Sequence, residues 1–308
     1  MYQNNAVSNQ FINADSTFPV VIRAWEGYLT DQKKSIYTIK AFKGDIQLFA
    51  SYFSPDKTVG SVTTKDITNF LDWMNNDRPV PCSLKTTSRR ITSIKSFFKW
   101  LKTFGVIEDD PAAAIDQIAV SSPLPEILTK EEVDKVLAAA NAHRSLKKPD
   151  ARMMLLLQLL LATGIKKSET LGISKNHIER ENPENPKLFV RYTSAENRAK
   201  ERTIDLPASW LEVFDEYLEQ YRPSDKVFPW SPRRLEYLLE DIGTEAGLKK
   251  HLSFAMCRWT CFVKDFIDGV PMDVIQRKMG VSQVQWREIF NKIKELSAAY
   301  NEPAEAEA

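Results

Sequence analysis

The sequence predicts a mainly α protein in two domains, with one small antiparallel β-hairpin in the second. Three observations carry this expectation. Apolar residues recur at three- and four-residue spacings through most of the chain, the period of a helix with one buried face. Only Leu188 to Tyr192 and Arg202 to Leu206 alternate apolar with polar, the period of a half-buried strand. The chain has 308 residues and is 43% hydrophobic, enough for two cores when a domain takes roughly 100–200 residues.

The elements follow in order. Residues 1–15 are polar and are expected to be loose. Val20, Val21, Ala24, Trp25 and Tyr28 then share one helical face, starting near Phe18. Ser35 stands before a second stripe of Ile39, Phe42, Ile46, Phe49 and Phe53. Thr64 opens a third helix through Ile67, Phe70, Leu71 and Met74, broken between Asp77 and Pro81 by two prolines. A fourth runs from about Leu84 to Phe104 and stops at Gly105. Asp109, Asp110 and Pro111 begin a short turn, and residues 121–128 form a linker around Pro123 and Pro125. Thr129 and Glu132 then make a capping box. The first domain is therefore expected over 16–120 and the second over 129–300, with helices at 130–143, 150–163, 167–172, 208–220, 231–246, 254–267 and 271–279. Residues 301–308 form an acidic tail.

Composition excludes several classes. Ten Gly and 16 Pro are too few for a collagen-like or low-complexity chain. The longest apolar run, Met153 to Thr163, is short of a membrane span and contains Gln158. The N-terminus lacks the basic-then-apolar pattern of a signal peptide. Cys82, Cys257 and Cys261 offer no paired framework, which fits a reducing cytoplasm. Forty-two basic against 41 acidic residues leave a net charge of +1, so a nucleic-acid partner must be argued from local patterning.

Such a pattern lies between Ser83 and Lys102. Lys85, Arg89, Arg90, Lys95, Lys99 and Lys102 occur there without any acidic residue, and Ile91, Ile94, Phe97, Phe98 and Leu101 take one side. A helix with one packed and one positive face suits phosphate contacts. A solvated surface face is the alternative.

Several segments together resemble the tyrosine recombinase family, the phage integrases and Xer-like proteins. Ser88 to Leu101, with Gly105 to Glu108 and Asp110 to Ala112, resembles the last helices of the family's core-binding domain. Leu124-Pro125, Leu128-Thr129 and Glu131 to Val133 resemble the entry to its catalytic domain. Ala162 to Glu169 is similar to the motif holding the first catalytic arginine, and Lys200 to Arg202 with Leu206-Pro207 to the second hairpin strand. Val227 to Pro229, Ser253 to Phe262 and Met279-Gly280 complete the order. The resemblance implies a C-shaped clamp on double-stranded DNA, with a helical SAM-like core-binding domain and an integrase-type catalytic domain. It implies no cofactor, no metal, no membrane and no small-molecule substrate. A second copy or an active recombinase would be the companion on DNA.

The family's chemistry needs a tyrosine to attack the scissile phosphate. It also needs arginine forks around the phosphate oxygens and a lysine and histidines to move protons. Carried across, Lys166 stands at the first arginine, keeping the charge but losing the planar fork. Asn197 stands at the hairpin lysine, with Arg198 or Lys200 as substitutes nearby. Arg258 keeps the second arginine, while Ala255 and Trp259 replace histidines and Val281 follows Gly280 where histidine belongs. The nucleophile should lie about ten residues past Gly280, and that residue is Phe290. The resemblance thus implies that no catalytic set is intact. Tyr300, Tyr192 or Tyr237 would have to serve as a displaced nucleophile, and His143, His177 and His251 all miss the family's positions.

DNA contacts are expected from Lys85, Arg89, Arg90, Lys95, Lys99, Lys166, Lys167, Arg198, Lys200, Arg202 and Arg258. On the plainer alternative, Arg258 is an ion-pair partner, and Lys166 and Lys167 are a surface pair at a helix start. Two cations there oppose the helix dipole, which favours an external anion. Glu169 is expected to be structural, and Cys257, Cys261, Trp25, Trp73, Trp100 and Trp210 to belong to cores. The leading expectation is a DNA-binding protein of this family that no longer cuts. An active recombinase with a displaced tyrosine and a protein-interaction module without DNA binding are the alternatives.

Overall fold

A computed structural model describes residues 12–78, 80–118, 120 and 123–300. Most of the expected loose N-terminus, the acidic tail and the linker residues Ser121 and Ser122 lie outside the described residues. The chain divides into two compact units, residues 1–122 and 123–308.

The first unit contains α1 (Phe18–Asp31), α2 (Ile36–Ala50), α3 (Thr64–Asp72) and α4 (Leu84–Thr103). Side chains start three of them. Ser35 accepts from the Thr38 amide, Thr63 makes a reciprocal box with Asp66, and Ser83 accepts from the Thr86 amide. A π-helical turn, Trp73–Asp77, continues α3 before the chain breaks. Gly105, at φ 68°, ends the turn after α4, in the left-handed region that glycine enters freely. The stripes converge on an aromatic core in which Trp25, Phe49, Phe70, Phe97 and Phe98 are all 0% exposed. Their rings meet edge-on, as Trp25 and Phe97 do at 5.1 Å and 78°.

The second unit contains α5 (Lys130–Ala142), α6 (Arg152–Thr163), α7 (Lys167–Gly172), β1 (Ile178–Glu179), β2 (Lys187–Val190), β3 (Arg202–Asp205), α8 (Ala208–Tyr221), α9 (Pro232–Glu245), α10 (Phe254–Ile267), α11 (Met272–Met279) and α12 (Gln283–Tyr300). The predicted hairpin is β2–β3, with Leu188 opposite Ile204 and Val190 opposite Arg202. A third strand, β1, pairs antiparallel with β2 on its other side. Helix α6 is apolar around most of its circumference and forms the centre of the larger core. The Trp210 indole N–H donates to Leu155 O at 3.1 Å, so the ring buries no unpaired donor. Helix α10 packs between α6 and α12. A second, smaller core joins Ile127, Phe262, Val263, Ile275, Ile293, Leu296 and Tyr300. No helix among the described residues is long and apolar enough to cross a membrane.

Candidate functional site

The site is built around a buried carboxylate. Glu169, the third residue of α7, accepts from the Lys166 amide at 2.8 Å, which fixes the helix start. Its two oxygens take Arg202 Nη1 and Nη2, each at 3.0 Å, and the Tyr192 hydroxyl donates to it as well. Both sides of the ion pair are buried, at 7% and 1% side-chain exposure. Burial alone would raise the Glu169 pKa. The Arg202 bonds and charge, the Lys166 amide and the Tyr192 hydroxyl outweigh it and hold the carboxyl at about 2. Burial and the bond to Glu169 push the Tyr192 phenol up to about 12.

Arg258 projects from α10 to two helix ends. Its Nη1 donates to Gly164 O, at the C-cap of α6, and its Nη2 to Met279 O, the last residue of α11, at 2.6 Å. Arg202 Nε takes the neighbouring carbonyl, Lys278 O, at 2.7 Å. Helix C-termini leave carbonyls unpaired and carry partial negative charge, so guanidinium groups satisfy them twice over. The fit explains two glycines. A Cβ on Gly164 (φ 58°) would lie 2.6 Å from the Phe262 ring, and one on Gly280 (φ 63°) would lie 2.8 Å from Arg202 Nη1. Burial pushes the Arg258 guanidinium down to about 10, and it stays charged at neutral pH.

Lys166 and Arg258 line one cleft of about 510 Å³, with Lys167, Arg233, Glu236, Tyr237, His251 and Ala255 among its other walls. Burial lowers the Lys166 ammonium pKa. Glu169 counters this, while Arg258, Arg202 and Lys200 add to it. No hydrogen-bond acceptor for that ammonium occurs among the described residues. Lys167 by contrast pairs with Glu236. The cleft is therefore a cationic hollow in which the Lys166 ammonium has no acceptor among the described residues, an arrangement suited to an anion such as a phosphate.

The sequence-expected residues divide as follows. Lys166, Lys167, Ala255 and Arg258 come together in the cleft. Phe290 does not line it, so the position expected for the nucleophile is not gathered there with Lys166 and Arg258. Its ring packs on Phe266 at 5.8 Å and Trp286 at 5.7 Å, with the Lys294 ammonium 4.6 Å from its centroid. Trp259 and Val281 pack on the smaller core. Asn197, Arg198 and Lys200 lie on a 3₁₀ turn, Ala195–Lys200, where Lys200 donates to Asn197 at 2.8 Å. Of the alternative tyrosines, Tyr192 is held by Glu169 and Tyr300 is 5% exposed in the smaller core. Tyr237 is 40% exposed in the cleft and its hydroxyl accepts from Arg233 Nε at 2.6 Å.

Arg202 is a second correction, since Glu169 and two main-chain carbonyls use its N–H groups inside the fold. On the basic helix α4, Arg90 and Lys95 are likewise engaged inside the fold. Buried Asp45 of α2 takes Arg89 at 2.5 Å and Ser93 Oγ at 2.7 Å, and lies 3.5 Å from Arg90 Nε. Arg90 is 15% exposed and turned to Cys82 and Met74, so it faces inward. Lys95 caps carbonyls at Ala113 and Ile115. Lys85 and Lys99 are exposed and hold no ion pair among the described residues, leaving them with half-exposed Arg89 as the outward cations. Arg233 was missed at the cleft, while Tyr237 was named only as a displaced nucleophile and His251 only as lying off the family's positions. The signal in reach was the Arg-x-x-x-Tyr spacing on α9, which puts both on one face.

Comparison with known proteins agrees with this architecture. Residues 22–105 match the phage integrase N-terminal SAM-like domain, and residues 126–295 match the phage integrase family. The chain is 23% identical over 283 residues to tyrosine recombinase XerD of Listeria monocytogenes serotype 4b (strain F2365), covering 87% of this chain and 92% of that one. It is 29% identical over 285 residues to tyrosine recombinase XerC of Oceanobacillus iheyensis, covering 86% and 89%. Among solved structures, a XerH site-specific recombinase bound to palindromic difH substrate aligns with TM-score 0.70 at 19% identity, over 91% of this chain and 82% of that one. A λ integrase dimer bound to a COC′ core site aligns with TM-score 0.69 at 16% identity, over 99% and 85%. With both of its units matched in order by the two halves of one family, the chain belongs to the phage integrase family of tyrosine recombinases.

Proposed function

We propose that this chain binds double-stranded DNA and does not cut it by the family's tyrosine route. One observation carries the reading. The cleft keeps phosphate-seeking cations, while the residue at the nucleophile's place in the sequence, Phe290, has no oxygen and packs on Phe266. Strand cleavage through a phosphotyrosine needs a nucleophilic oxygen at the phosphate, and loss of one member of such a set removes most of the catalysis. DNA as partner is supported by the relatives, since the XerH and λ integrase structures are DNA complexes. A λ integrase tetramer on a Holliday junction supports a second copy or an active recombinase as companion on the DNA. A DNA partner also favours a cytoplasmic location.

The test combines a gel shift across a salt series with a suicide substrate that traps covalent intermediates. Binding should weaken steeply with salt, and no protein–DNA adduct should form. An adduct overturns the inactivity claim, and its loss in Tyr237→Phe would assign the displaced nucleophile to the one tyrosine of that cleft. Binding that is absent or indifferent to salt leaves a protein-interaction module. Phe290→Tyr should stay inactive, because the new hydroxyl would arise beside Phe266 and Lys294 in a chain that still lacks the histidines. Cleavage by that single variant would contradict the assignment.

A further inference from the structure

Helix α4 carries no acidic residue, and the carboxylate that answers its arginines comes from α2. Asp45 is 4% exposed, and its Oδ2 takes Arg89 Nη1 at 2.5 Å and Ser93 Oγ at 2.7 Å. Its Oδ1 lies 3.5 Å from Arg90 Nε. The Arg89 side chain is still 44% exposed, and its Nε and Nη2 have no partner among the described residues. Nη1 is thus pinned to the fold, while the two donors that share the guanidinium's other edge stay open. We propose that Asp45 is a positioning residue that fixes Arg89 as a two-donor fork, and that this fork reads a guanine in the major groove. The proposal rests on the DNA-binding reading and goes further by naming a base.

The physical case has three parts. An unrestrained arginine gives up side-chain entropy on binding, and the bond to Asp45 removes much of that cost in advance. A pinned fork also has a fixed direction, which a base edge requires and a phosphate does not. Guanine presents O6 and N7 as adjacent acceptors, whereas adenine and cytosine put an amino donor on that edge and thymine a single acceptor. Two parallel donors therefore select guanine. Lastly, Lys85 and Lys99 stand on either side of Arg89 on the same exposed face, about 21 Å apart along the axis. Unpaired lysines suit phosphates, while Asp45, Arg89 and Arg90 together carry one formal positive charge, so Arg89 adds less to phosphate attraction than they do.

The probe is a pool of DNA duplexes with a randomised central segment, selected on the full chain and sequenced. Fluorescence anisotropy of an enriched duplex is then followed through a KCl series. Wild type should favour guanine at one position by about tenfold over each other base, as a bidentate contact gives. Arg89→Lys keeps the charge and loses the fork, so that preference should fall to about twofold or less at an unchanged salt slope. Asp45→Asn keeps the shape and removes the carboxylate. It should cut the same preference by about threefold or more and leave preferences at other positions standing, whereas a merely structural role would weaken binding to every sequence alike.

Guanine preference that survives in Arg89→Lys, or a wild type that binds duplexes without selecting among them, overturns the proposal and leaves DNA binding intact. A wild type that binds no duplex ends the DNA-binding reading, and the proposal with it. Should Asp45→Asn fail to fold, ¹⁵Nε relaxation of Arg89 in the free wild-type protein decides the positioning role. An order parameter near 0.85, roughly that of rigid backbone, supports a held fork. A value below about 0.6, that of a freely moving group, overturns it.

Discussion

At the scale of single residues, the strongest commitment in the molecule is the Glu169–Arg202 pair. Its carboxylate is nearly fully enclosed, so removing the arginine strands a charge rather than deleting one contact. Arg202→Met should cost about 3–5 kcal/mol in urea unfolding, the usual penalty for an uncompensated buried ion. Adding Glu169→Gln in the same chain should restore much of it. A loss below about 1 kcal/mol in the single variant would show the pair to be dispensable. The same pair sets an acid limit. The folded pKa of about 2 lies below the ordinary 4.5, so the stabilisation is complete above that ordinary value. It is lost as pH falls toward 2, and amounts to about 3 kcal/mol at neutral pH. Acid titration followed by circular dichroism should therefore bring the unfolding midpoint of Arg202→Met to higher pH than wild type. The sequence named Arg202, Arg90 and Lys95 as cations but said nothing of their partners. An acid 33 residues away across the fold, or one on a neighbouring helix such as Asp45, leaves no local trace in spacing. Lys166 was legible because its helix-start position is itself local.

At the scale of elements, helix placement was legible and orientation only partly so. The Thr129 box and the Gly105 stop follow from short-range chemistry, and the predicted helices fall within a few residues of the observed ones. Strand β1 has two residues, too few to carry a period of two. Helix α12 is the instructive miss. No helix is expected from the sequence between 279 and the tail, and Phe290 is marked only as the nucleophile's place. The whole stretch is instead one helix whose Ile293, Leu296 and Tyr300 enter the smaller core. Phe290 precedes Ile293 by three residues, so it rides the same stripe and is carried to Phe266 of α10. Packing thus decides where position 290 points, and a tyrosine there would inherit the same direction. Ile293→Ala should cost about 2–4 kcal/mol, the range for deleting a fully buried aliphatic side chain. It should also loosen the contact of α12 with α10, read as faster amide exchange along α12. Unchanged exchange and stability would mean that α12 is held elsewhere.

At the scale of the whole molecule, a net charge of +1 removes any general attraction to DNA. Affinity must then be assembled from a few outward cations, and four of the six candidates on α4 are engaged inside the fold or paired. Asp45 engages Arg89 and lies against Arg90, Lys95 is folded onto main-chain carbonyls, and Lys102 faces Asp109 at 3.6 Å. Lys85 and Lys99 remain, two heptads apart and so within one face of the helix. Because neither makes an ion pair among the described residues, replacing both with Gln should leave stability within about 0.5 kcal/mol of wild type. If this face meets the DNA backbone, each lost phosphate contact removes about 0.9 from the salt slope. Lys85→Gln/Lys99→Gln should then lower the slope by about 2 in the anisotropy titration, and weaken binding by a similar factor on every DNA sequence tried, because phosphates carry no sequence information. A slope unchanged in this double variant, with the Lys166→Gln slope reduced, would confine DNA contact to the second unit and make the basic face of α4 an ordinary solvated surface.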